Sequence, residues 1–83
     1  MRLRSGDLSR RALGDEMVLL DLRSSRYLTV SGVGVDIVSM LSQDRSEDEL
    51  IASLLERYDV TEEVLRTDVG TFLHQLRDAG LLE

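Results

Sequence analysis

The chain has 83 residues, no cysteine, no proline and a single histidine, His74, and it carries 16 acidic residues against ten arginines and no lysine, for a net charge of −6. That length bounds it to one small domain over residues 1–83 with a core near the lower size limit for a chain without disulfides or metal. The composition excludes disulfides, thiolate zinc sites, cysteine nucleophiles and Ser-His catalysis, and no Gly-rich phosphate loop or membrane-length apolar run is present. No cofactor or metal is expected, and the chain reads as cytoplasmic because its basic start lacks a following apolar signal segment.

The first thirteen residues read as an N-terminal arm. Arg2, Arg4, Arg10 and Arg11 crowd it against one acid, Asp7, and residues 2–5 are its candidate first strand. The four arginines read as a solvated, flexible end. The remainder holds six arginines and fifteen acids, so the body of the domain is acidic.

Residues 16–22, "EMVLLDL", are apolar on both parities and predict a central strand. "RSS" at 23–25 is turn chemistry, and "RYLTV" at 26–30 alternates Leu28 and Val30 with Tyr27 and Thr29, which completes a hairpin. Ser31 is the expected N-cap of a first helix whose apolar positions are Val33, Ile37, Val38, Met40 and Leu41. Ser46 with Glu49 is a capping-box pair opening a second helix, with Leu50, Ile51, Leu54, Leu55 and Tyr58 as its buried stripe.

A third helix is predicted from Thr61 to Ala79, with Glu62 and Glu63 at the positive end of its dipole and Gly80 just past its end. Its apolar arc contains Val64, Leu65, Val69, Phe72, Leu73 and Leu76, interrupted by Asp68, while His74 and Gly70 fall on the solvent side. Strands followed by three helices describe an α+β domain resembling a winged helix-turn-helix, with a small antiparallel three-stranded sheet. That topology raises the alternative of a DNA-binding regulator. The third helix is net acidic, however, with Glu62, Glu63, Asp68 and Asp78 against Arg66 and Arg77, and a duplex reader needs the opposite sign.

The segments "VLLDLRSSRYLTVSGVGVDIVSML", "SEDELIASLLERYDV" and "DVGTFLHQLRDAGLL", in this order and spacing, resemble the PqqD-like family of recognition elements that bind leader peptides of ribosomally made natural products. The resemblance runs from about residue 14 to the end. It includes the glycine, Gly34, that opens the first helix, and departs from the common pattern at Ser31, where many members have Asn, and at Val38, where many have an aromatic residue or Leu. It is nearer to the free-standing leader-binding proteins of lasso peptide pathways than to the peptide chaperone of quinone-cofactor synthesis.

The resemblance implies a non-catalytic adaptor. Its partners would be a precursor leader peptide and a separate processing enzyme such as a leader peptidase, not nucleic acid or membrane. It implies a docking strand formed by Arg26, Tyr27, Leu28, Thr29 and Val30, facing Val64, Asp68, Val69, Phe72 and Leu76 of the third helix. An interaction module using the same open strand edge on a second copy is a further alternative.

Overall fold

Two short turns build the sheet. Gly14 and Asp15 connect β1 (Leu8–Leu13) to β2 (Glu16–Asp21), with Gly14 at φ 63°, the angle that the first central position of a type II′ hairpin turn demands. Leu22 to Ser25 connect β2 to β3 (Arg26–Ser31), and the Ser25 N–H donates to the Asp21 carbonyl at 2.8 Å. The computed structural model describes all 83 residues. The strands form an antiparallel meander in the order β1-β2-β3, followed by α1 (Val33–Met40), α2 (Glu47–Arg57) and α3 (Glu62–Asp78).

This is the expected α+β order, with four local corrections. The first strand is Leu8–Leu13 and not residues 2–5, because the Gly14–Asp15 turn folds the segment before it onto β2. Residues 2–4 instead run beside the C-terminal segment: Leu3 and Leu82 form an isolated bridge, Arg4 N–H donates to Leu81, and Glu83 N–H donates to Arg2. The arm is therefore anchored, with Leu3 in the core and Arg4 held by carboxylates, while Arg10 and Arg11 belong to β1. Leu22 lies past the end of β2, in the turn. Ser31 ends β3 and does not cap α1; that position belongs to Gly32, which at φ 58° makes the turn from strand to helix that an L side chain resists.

The other caps are as the sequence predicts. Ser46 and Glu49 make both bonds of the capping box, and the Thr61 hydroxyl accepts from the Val64 N–H. Gly80 follows α3 at φ 72°. One face of the sheet supplies Leu19 and Val30 to a single core completed by Ile37, Val38 and Leu41, by Leu50, Ile51 and Leu54, and by Leu65, Val69, Leu73 and Leu76. Leu55 and Tyr58 of the expected α2 stripe pack against it half-buried, and the Tyr58 hydroxyl donates to Asp36 of α1.

Candidate peptide-binding groove

The ladder determines which backbone groups of β3 are open. Leu22 N–H donates to the Asp7 carbonyl at 2.9 Å, continuing the β1–β2 register, so Leu22, Leu20, Val18 and Glu16 direct their backbone groups toward β1. Alternation then turns Met17, Leu19 and Asp21 toward β3, where they pair with Val30, Leu28 and Arg26. The N–H and C=O groups of Tyr27, Thr29 and Ser31 consequently point out of the sheet along an edge that no strand covers. Over six residues at about 3.3 Å each, this edge is roughly 20 Å long.

Helix α3 runs opposite this edge, and the gap between them opens into two clefts. The upper one, about 400 Å³, lies between Thr29 and Val30 on the strand side and Asp68, Phe72 and Gln75 on the helix side. The Phe72 ring rests over Gly34 of α1, where an added Cβ would stand 3.2 and 3.3 Å from ring carbons. Only glycine lets the ring seat there without displacement. The lower cleft, about 420 Å³, lies between Arg26, Tyr27 and Leu28 and the end of α3 at Asp78 and Ala79, with Leu81 beyond it.

Arg4 braces the lower cleft. Its guanidinium bonds Asp7 at 2.8 Å, Asp21 at 2.5 Å and the carbonyl of Gly80, so it joins the β2–β3 turn to the segment following α3. Asp21 also accepts from the Arg23 N–H and the Ser24 hydroxyl, each at 3.0 Å. Burial pushes the Asp21 carboxyl up, but these donors and Arg4 outweigh it and hold the group below the usual aspartate range. Asp7 is lowered too, chiefly by its hydrogen bond from Arg4.

Of the residues expected at the site, Arg26, Tyr27, Leu28, Thr29, Val30, Asp68 and Phe72 line the two clefts. Three do not. Val69 and Leu76 are fully buried in the core, and Val64 is about half exposed near the start of α3, outside both clefts. The physical reason is that α3 carries two adjacent stripes. Leu65, Val69, Leu73 and Leu76 form the buried one; Asp68, Phe72, Gln75 and Ala79, spaced by four, three and four, face β3. Asp68, which interrupts a single apolar arc when the helix is read alone, belongs to this second stripe. The spacing from Asp68 through Gln75 to Ala79 is the signal that would have found the missed positions.

Elsewhere on α3, His74 is exposed and lies 3.2 Å from Asp78, and Gly70 has open space where a Cβ would go; nothing in the structure explains that glycine. No three histidine, aspartate or glutamate side chains gather into a metal-binding group, and no helix is long and apolar enough to cross a membrane. What the groove offers is a row of backbone donors and acceptors between two recesses of mixed apolar and polar lining.

The family model described as coenzyme PQQ synthesis protein D (PqqD) matches residues 16–82. The chain belongs to the PqqD family. The matched span holds β2, β3 and all three helices, and β1 lies before it. No curated protein matches the chain in sequence. Among solved structures it is similar to TbiB1 in complex with the TbiA(beta) leader peptide, with a TM-score of 0.88, 28% identity, and coverage of 100% of this chain and 95% of that one. It is also similar to a lasso peptide synthetase B1 complexed with the leader peptide, with a TM-score of 0.81 and 28% identity over 96% of this chain and 93% of that one. Both similar structures are complexes with a leader peptide.

Proposed function

We propose that this chain is a non-catalytic adaptor of lasso peptide biosynthesis that binds the leader of a precursor peptide as a fourth strand along β3 and presents it to a separate processing enzyme. The observation that carries this reading is the uncovered edge of Tyr27, Thr29 and Ser31 lying across from α3, with a cleft at each end. The two similar structures support it, since each holds a leader peptide.

An antiparallel leader strand would exchange hydrogen bonds with Tyr27, Thr29 and Ser31, and the residues opposite Leu28 and Val30 would turn their side chains inward toward α3. Each backbone bond contributes a net ~0.5–1.5 kcal/mol. Association and ordering cost about 4–15 kcal/mol, so backbone pairing alone leaves little surplus. Two apolar leader side chains seated in the clefts would add ~1.5–3 kcal/mol each. The strand thus sets direction and register, and the clefts supply affinity.

The regulator alternative fits poorly. Arg66, one of two arginines on α3, is bonded to Glu62 and Asp48 at 3.0 Å each and presents no free charge to a duplex. Amide hydrogen exchange with and without a synthetic leader tests the proposal. Leu28 and Val30 should be protected in both states, while Tyr27, Thr29 and Ser31 become protected only when the peptide is present. Protection confined to other residues would place the peptide elsewhere and sink the strand-addition reading.

A further inference from the structure

Gly34 has no backbone reason to be glycine. It lies in the first turn of α1 and is not among the glycines at positive φ, so its conformation is open to any residue that a helix accepts. Within a helix, glycine is disfavoured against alanine. Of the six glycines it is the one whose missing side chain matters to its surroundings. A Cβ there would stand 3.2 and 3.3 Å from ring carbons of Phe72 and 3.5 Å from the Cβ of Val30, whereas at the other five it would meet nothing within 4 Å. What Gly34 supplies is space.

That space belongs to the upper cleft. Val30 and Ile37 are buried at its bottom beside Gly34, the half-buried Phe72 ring forms one wall, and Thr29, Asp68 and Gln75 are exposed at its mouth. A recess with an apolar bottom and a polar mouth takes a side chain by its apolar end. Strand pairing turns the leader residue opposite Val30 toward this cleft. A methyl group at residue 34 would fill the gap between Phe72 and Val30. The ring would have to give by a few tenths of an ångström, and wherever it moved the methyl would remain at the bottom of the cleft.

We propose that Gly34, with Phe72 as the facing wall, is the specificity-determining residue of the upper cleft, and that the space it leaves selects leaders with a large apolar side chain opposite Val30. Resting on the leader-binding reading, this adds the size of side chain accepted and the residue that sets it. Glycine at this place gives up helix stability and gains depth in the cleft. If the glycine served only to pack α1 against α3, replacing it would affect every leader alike. A size filter affects leaders according to the side chain they insert.

Phe72 is the only phenylalanine in the chain, so isotope-labelled phenylalanine gives ring signals in NMR from that residue alone. A synthetic leader of the precursor peptide encoded beside this chain is added, and the leader residue with nuclear Overhauser contacts to the ring is identified. That residue is then replaced by Ala, Leu and Phe, and the affinity of each version is read by fluorescence polarisation. The wild type should prefer the larger versions to the Ala version by about tenfold. Gly34→Ala should erase this preference by weakening the larger versions, while the Ala version and the melting temperature stay at the wild-type level or above. Phe72→Leu, which draws the wall back, should restore the preference in the Gly34→Ala background. Alone it should move the preference from Leu toward Phe, which keeps the filter testable should Gly34→Ala melt early. Leaders weakened equally by Gly34→Ala, leaders unaffected by it, or a bound leader without contacts to the Phe72 ring would each overturn the inference and leave leader capture standing. A wild-type chain that binds no leader ends both.

Discussion

The two edges of the sheet have the same backbone chemistry and different surroundings. Along β1 the ladder leaves Leu8, Arg10 and Ala12 with groups directed outward, as it leaves Tyr27, Thr29 and Ser31 along β3. The β1 edge carries two arginines in succession and has no helix wall, the charged, uncovered arrangement by which proteins discourage strand pairing. At β3 the open residues are Tyr, Thr and Ser, and α3 supplies a wall with a recess at each end. Open hydrogen-bonding groups are thus common to both edges, and the α3 wall with its two clefts is what distinguishes the β3 edge.

The largest effect expected from testing that contrast is on folding. Leu76→Ala removes a fully buried side chain from the inner stripe of α3 and should cost about 2–5 kcal/mol in urea denaturation. Leader affinity, measured where the variant is still folded, should be preserved. A variant that keeps its stability but loses the peptide would place Leu76 in the wall after all.

Proline tests the two edges directly. At Thr29 it deletes an outward N–H and puts a ring against the incoming strand, so leader affinity should fall about tenfold, roughly 1.4 kcal/mol. At Ala12 the same change deletes an outward N–H on the other edge and should leave the affinity alone. Equal losses in fluorescence polarisation, with both variants folded by circular dichroism, would abolish the distinction between the edges.

A smaller effect is expected on acidification. Asp7 and Asp21 hold their protons less tightly in the fold than in the unfolded chain, so the stability they contribute is present above the unfolded value near 4 and is lost as pH falls through their lowered folded values. Melting temperature should decline below about pH 4, and Asp21→Asn should make that decline shallower. A decline of the same steepness in the variant would remove Asp21 from the brace. Smallest of all, Asp68→Ala on the groove stripe should leave the melting temperature unchanged and shift leader affinity severalfold for leaders with a basic residue at the upper cleft. No change with any such leader would make Asp68 a bystander.

Most of the architecture was legible from residue patterns, because its signals are local. A capping box needs only Ser46 and Glu49, a hairpin only the alternation about "RSS", and a helix end only Gly80. Two local signals pointed elsewhere: "LSRRAL" hides a strand behind three polar residues, and only the Gly14–Asp15 turn betrays it. Ser31 resembles a cap but is used as strand, since Gly32 alone accepts the positive φ of the turn. The β2–β3 hairpin, the three helices and their order were therefore determined by the sequence by itself.

The division of α3 into a core stripe and a groove stripe was decided only by tertiary structure. Leu76 and Phe72 are equally apolar on a helical projection, and periodicity describes one continuous arc through both. Burial is a property of what lies opposite: Leu76 meets the packed core, whereas Phe72 meets Gly34 and the uncovered edge of β3. The same holds for the open groups of Thr29, whose direction depends on a register set by the hairpin turns and the Leu22–Asp7 bond, and for Arg4, whose partners at Asp7, Asp21 and Gly80 are brought together only when the chain closes on itself.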